Sequence, residues 1–198
     1  MSEADETTSL TSSADAWTDV FFGVLVAPKE TLTILSKEAK HEQGSRSLLK
    51  AAALVFIAVL LAALSKTGLE LSTVDQMQLS FIIFSAILQW IFLGAFLFFL
   101  GKVMDVAGIN FAASLVVTGW AYLPLVFLPT VRCLSIFPLI GGWLLFFVSL
   151  WMYSLEWHAF AALLELTHKR MALLALAVPF ILSCLGWNWF FLSIFLSA

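Results

Sequence analysis

Charge is what this sequence lacks. Of its 198 residues only 12% are charged, while 62% are hydrophobic and the mean hydropathy is +1.01. A soluble domain carries about 25% charged residues, so there are too few here to cover a globular surface, which excludes an ordinary soluble enzyme. The shortage is uneven: 13 of the 23 charged residues fall within positions 1–50. The chain beyond residue 50 therefore belongs in lipid. The net charge of -3 and the pI near 5.5 leave no dense basic stripe that could displace counterions from phosphate, which excludes nucleic acid as a partner. Disorder is excluded as the general state, because the composition is the reverse of a polar, strongly charged tract.

Thiols and catalytic motifs are scarce as well. The two cysteines, Cys133 and Cys184, cannot build a disulfide framework or a zinc knuckle and read as small apolar packing residues. No phosphate-cradling Gly-x-x-x-x-Gly-Lys, no His-Glu-x-x-His and no Gly-x-Ser-x-Gly occurs. Ser114, Ser149 and Ser183 lie in apolar runs with no base at a recognisable spacing, where a hydroxyl usually bonds the carbonyl one turn back. No carboxylate is expected in the middle of a span, which counts against an ion-coupled transporter.

Long apolar runs are what the sequence has. A spanning helix needs about 20 apolar residues, because the hydrocarbon core is about 30 Å thick and each helical residue rises about 1.5 Å. Four uncharged runs are long enough: Gln76–Gly101, Val106–Val131, Cys133–Leu155 and Met171–Ala198. A fifth, Ala51–Ser65, becomes long enough with Leu48 and Leu49 if Lys50 snorkels. The runs are continuously apolar and lack the alternation of a barrel strand, and an open sheet would leave backbone groups unpaired in lipid. The expected fold is an all-α integral membrane bundle of five transmembrane helices, over about 48–65, 79–101, 109–129, 136–155 and 172–195.

Basic residues set the expected orientation. With the N-terminus in the cytoplasm, that side holds Lys29, Lys37, Lys40, Arg46, Lys50, Lys102, Lys169 and Arg170, and the far side keeps Lys66 and Arg132. The C-terminus then lies on the far side. Residues 1–16 hold Glu3, Asp5, Glu6 and Asp15 before any apolar run, so they read as a disordered tail and not a signal peptide. Residues 17–47 form an amphipathic segment. Trp17, Val20, Phe21, Val24 and Leu25 recur at helical spacing, and Pro28 then opens a second helix with Leu32, Leu35 and Ala39 against Lys29, Lys37 and Lys40. That pattern suits an interfacial helix on the cytoplasmic leaflet, and equally a helix packed on the bundle's cytoplasmic mouth.

Several local patterns, taken in order, resemble the Yip family of five-pass membrane proteins, named for interaction with Ypt and Rab GTPases. Ala27-Pro28-Lys29-Glu30-Thr31 resembles the family's Pro-basic-acidic opening before its first span. Gly101-Lys102, followed by Gly119-Trp120-Ala121-Tyr122-Leu123-Pro124, is similar to its Gly-aromatic-x-x-Pro stretch. Thr167-His168-Lys169-Arg170 followed by Ala172–Pro179 is similar to the basic turn into its proline-containing last span. The resemblance covers roughly residues 20–195 and implies a helical bundle that serves membrane trafficking, organelle shape or, in bacteria, other membrane functions; it does not imply an enzyme, and no cofactor is expected. The Asp-Leu-Tyr-Gly-Pro motif of eukaryotic members has no counterpart, which points to a compact bacterial-type member in an inner membrane.

The candidate contacts with lipid headgroups or with membrane or cytoplasmic protein partners are Lys29, Lys37, Lys40, Arg132, Lys169 and Arg170. Pro28, Gly119, Tyr122 and Pro124 are the candidate kink residues. Gly119 with Pro124 suits close helix packing, as do Ala58 and Ala62 at four-residue spacing; the same kink could line the path of a small-solute transporter or channel subunit. Pro129 and Pro138 bracket an expected outside turn around Arg132, with snorkelling the simpler account of that charge. Glu165 and His168 have the Glu-x-x-His spacing of di-metal bundles, but no span supplies the second copy, so Glu156–Arg170 reads as a solvated or headgroup-facing loop. Trp151, Trp157, Trp187 and Trp189 suit interfacial anchors. A homo-oligomer held by small-residue packing is left open.

Overall fold

The computed structural model describes residues 17–40, 44–67, 73–134 and 137–164. The acidic tail, the last apolar run with Pro179 and Cys184, and Glu165, His168, Lys169 and Arg170 lie outside the described residues. Within them the chain is helical, without a strand: α1 (Trp17–Val26), α2 (Pro28–Lys40), α3 (Gly44–Thr67), α4 (Thr73–Val103), α5 (Phe111–Trp120), a 3-10 turn (Leu123–Phe127), α6 (Leu128–Leu134) and α7 (Pro138–Leu164). Four stretches are long and apolar enough to cross a membrane: Ser45–Ser65, Leu79–Val103, Phe111–Leu134 and Leu139–Leu164.

These helices have two apolar faces, one for the bundle and one for lipid. On α4 the residues Ile82, Ala86, Trp90, Leu93 and Leu97 recur every three or four positions and are buried, while Phe81, Phe84, Leu88, Phe92 and Phe99 are exposed on the other side. In water the second face would be a liability; in lipid it is solvated by acyl chains. On α3, Ala51, Leu54, Val55, Ala58 and Val59 face inward and Phe56 and Ile57 outward.

Everything is assembled around α5. Every residue from Ala113 to Trp120 is buried, because α2, α3 and α4 all pack on this short helix. Asn110 caps its start: the side-chain oxygen accepts the Ala113 N–H at 2.6 Å, and Nδ2 donates to the Ala39 carbonyl of α2 at 3.2 Å. One side chain thus satisfies an orphan helix donor and ties two helices together. From α4, Trp90 Nε1 donates to the Leu115 carbonyl at 3.0 Å. A Cβ added at Gly119 would sit 2.9 Å from Ala51 Cβ and 3.3 Å from Trp90 Nε1, so α3 and α4 close on α5 where only glycine fits.

The turn before α5 is equally determined. Asp105 adopts a left-handed φ of 55°, Val106 N–H reaches the Gly101 carbonyl at 2.9 Å and Asp105 N–H reaches that of Lys102 at 3.2 Å. This paired closure of a helix C-terminus lets α4 stop and reverse within a few residues. Gly101 touches Ile109 and Leu164, so the end of α4, the start of α5 and the end of α7 converge.

Several sequence expectations shift. The third span does not stop at Pro129 but continues through the 3-10 turn and α6 to Leu134, so Arg132 lies on a helix and not in a turn. Cys133, expected as packing, is exposed. The helix α7 runs to Leu164, nine residues beyond the end of its uncharged run at Leu155. Of the two placements open to the Leu32, Leu35 and Ala39 stripe, it is buried, with α2 packed on α5 and α7.

Two outcomes are expected in thermal melts of the purified chain in detergent. Gly119→Leu should lower stability by about 1–3 kcal/mol by overpacking, whereas Gly142→Ala, with nothing within 4 Å of the added Cβ, should leave melting unmoved or raise it. Asn110→Ala should cost about 1–2 kcal/mol through the lost cap.

Candidate functional site

The third span breaks in its middle, and the polar interior gathers there. Where α5 ends, the Ala121 and Tyr122 N–H groups reach back only three residues, to Thr118 and Gly119, each at 3.2 Å. Pro124 has no N–H to give to the Trp120 carbonyl, so the coil tightens into the 3-10 turn before α6 restarts. Ser114 and Thr118, buried within α5, turn their hydroxyls onto carbonyls of their own helix, at 3.2 Å to Asn110 and 2.8 Å to Ser114. These bonds leave no free hydroxyl and bend the helix slightly. The candidate kink residues Gly119, Tyr122 and Pro124 are all buried at this break.

Trp120, fully buried, lies with its ring centroid 5.5 Å from that of Trp17 at an interplanar angle of 53°. Its Nε1 is the one fully buried side-chain polar atom among the described residues without a hydrogen-bond partner. An unmet buried N–H of this kind costs about 1–3 kcal/mol, and it belongs to the last residue of α5, where the coil breaks. Across the break, the Tyr122 phenol lies within electrostatic range of Glu156. Glu156 itself is only 4% exposed and sits inside α7 among Leu155, Ala159 and Phe160, which are also buried. This corrects two expectations: Glu156 is not part of a solvated loop, and a carboxyl does occupy the interior of a span. The charge-free run was a poor guide to the span's end, because one carboxyl facing the bundle can be held among protein groups without meeting lipid. The signal available in sequence was the continued helical spacing of Leu155, Ala159 and Leu163 across Glu156.

A second surface lies on the α1–α2 pair. Pro28 opens α2, the Thr31 N–H and hydroxyl both bond the Ala27 carbonyl, at 3.1 and 3.0 Å, and Gly23 approaches Thr31 so closely that an added Cβ would lie 2.7 Å from its Oγ1. The two helices therefore meet at a tight corner. Val20, Val24, Leu32, Leu35 and Ala39 turn into the bundle, leaving Phe22, Val26, Lys29, Glu30, Ile34 and Lys37 exposed. Pro28 is half-buried at the corner, and Lys40 is half-buried and engaged in an interaction. Arg132 is exposed in the last turn of α6, and it too has an interaction partner. The structure thus places Lys29, Lys37 and Lys40 together on α2 and Arg132 at the other end of the third span. Among the described residues no three His, Cys, Asp or Glu side chains converge.

Melting of Glu156 variants separates shape from charge at the buried carboxyl. Glu156→Gln keeps the outline and should stay within about 1 kcal/mol of the parent, whereas Glu156→Lys forces a longer, cationic chain into apolar surroundings and should cost about 3 kcal/mol or more. Equal loss in both variants would show that the carboxyl itself is required.

No curated protein and no solved structure matches the chain. The Yip1 domain matches residues 22–190, a stretch that takes in the α1–α2 corner, the broken third span and the buried carboxyl of α7. With most of its length in that match, and four long apolar helices in the described part, the chain belongs to the Yip family of membrane proteins.

Proposed function

We propose that this Yip-family protein works without catalysis, as a membrane-organising adaptor that holds protein or lipid partners at the end of the bundle where α2 lies. The observation that carries the reading is the division of labour on α2: its apolar stripe is consumed by packing on α5 and α7, while Lys29 and Lys37 remain exposed. Glu30, next to Lys29 in the chain, is exposed as well, so the face carries both signs in a fixed order, which suits a protein partner of complementary pattern.

The same end gathers the start of α3, with Arg46 and Lys50, and the end of α4, with Lys102. The retention of basic residues on the cytoplasmic side supports an inside assignment for it. A bacterial inner membrane is the location this reading favours, on the missing Asp-Leu-Tyr-Gly-Pro motif. Lys169 and Arg170 follow Leu164 in sequence and would extend the partner face. The solute-pathway alternative gains nothing at the kink, where Ala51 and Trp90 close on Gly119.

Mild crosslinking in native membranes, followed by identification of the molecules that copurify, tests the reading. The Lys29→Glu/Lys37→Glu variant should lose partner recovery about tenfold, the effect of about 1.4 kcal/mol, with unchanged melting. Unchanged recovery would remove this face from the function.

A further inference from the structure

The α1–α2 pair accompanies the third span for only part of its length. At one end the Ala39 carbonyl is bonded by Asn110, the residue that caps α5. At the other end the Trp17 ring lies on Trp120, the last residue of α5. Ten helical residues separate these two contacts, a rise of about 15 Å, or roughly half of a 30 Å hydrocarbon core. The bent pair thus adds two helix sections to the end of the bundle that also holds Gly101 and Leu164, in line with its packing on α5 and α7.

The outward surface of the pair is apolar at the corner. Phe22 is 61% and Val26 82% exposed, and Ile34 on the outer side of α2 is 51% exposed. Like the exposed apolar residues of α3 and α4, they are side chains that a member of a membrane-protein family turns to lipid. Lys29 follows Val26 by three residues and Lys37 follows Ile34 by three, both exposed, as ammonium groups at headgroup level would be above apolar neighbours. The corner is also stiff, since the Gly23–Thr31 approach and the missing N–H of Pro28 fix its bend.

We infer that the α1–α2 corner is a one-leaflet wedge: Phe22, Val26 and Ile34 sit among the acyl chains of the leaflet on its side, with Lys29 and Lys37 at its headgroups. The extra cross-section in one leaflet makes the protein prefer membrane that is convex on that side. The inference rests on the membrane-organising reading and gives it a mechanism, with the lipid bilayer itself as the partner.

The full-length chain, reconstituted at low density into giant vesicles of phosphatidylethanolamine and phosphatidylglycerol, is followed onto narrow tubes pulled from them. Where the α2 end faces outward, protein per lipid on the tube should exceed that on the flat membrane by about threefold, and Phe22→Asp/Val26→Asp should bring the ratio close to one. Equal density of the parent chain on tube and vesicle overturns the wedge, as does a variant sorted like the parent. Should the double variant fail to fold, Val26→Cys in a chain with Cys133 and Cys184 replaced by serine decides the matter. A bimane label there should be quenched by brominated acyl chains and shielded from aqueous iodide; the reverse pattern overturns the proposal. Purified lipid contains no protein partner, so failure here is distinct from a failure of partner capture by Lys29 and Lys37.

Discussion

The whole arrangement depends on the burial of α5. Between helices in lipid there is little hydrophobic driving force, since acyl chains are as apolar as leucine, so close packing and hydrogen bonds must hold the bundle together. A ten-residue helix buried from Ala113 to Trp120 supplies both. Its small residues, Ala113, Ser114 and Gly119, let α2, α3 and α4 approach, and its exposed polar ends are met by Asn110 on one side and by the tightened 3-10 turn on the other. Trp90 adds a bond from α4 to the middle of the helix.

From that helix the functional surfaces follow. Because Asn110 also holds Ala39, the N-terminal pair is fixed to the bundle instead of floating on the membrane, and the face of α2 that remains outward is determined. Because Pro124 ends the regular coil near mid-span, Tyr122 turns towards α7 and Glu156, while Trp120 meets Trp17 from the other side. The buried carboxyl and the unmet indole N–H thus both lie by one discontinuity, while the bend of the N-terminal pair is set by Pro28 and the Gly23–Thr31 approach. The Trp17 ring packs the start of α1 against Trp120, at the break of the third span.

Much of this was legible in the sequence, for definite reasons. The apolar runs gave the spans because lipid demands length and continuity, and the helical spacing of Trp17, Val20, Val24, then Leu32, Leu35 and Ala39, marked the N-terminal helices and their buried sides. Pro28 announced the corner. Gly119 was readable as a packing residue, and Ala51 comes close to it. The failures share one cause, the use of charge as punctuation. Charge used in this way makes Glu156 the end of a span and Arg132 part of a turn, yet a single ionisable group can lie on a helix if its side chain faces the bundle or reaches the rim. Cys133 failed similarly: apolar neighbours in sequence do not say which face of a short helix a residue occupies.

The sequence alone determined the solvent, the helical class and the family, because a deficit of charge, unbroken apolar runs and a few ordered motifs are local properties that no folding can alter. Only the tertiary structure decided which apolar face meets protein and which meets lipid. Both faces of α4 read alike, and Leu32 and Phe22 differ only in what stands opposite them. It also decided that Glu156 lies inside the bundle and that Lys29 and Lys37 stay outside it, since burial depends on neighbours brought together from distant parts of the chain. Asn110 shows the limit most clearly: an Asn before an apolar run signals a helix cap, but its second bond appears only where the Ala39 carbonyl, 71 residues away, comes to rest beside it.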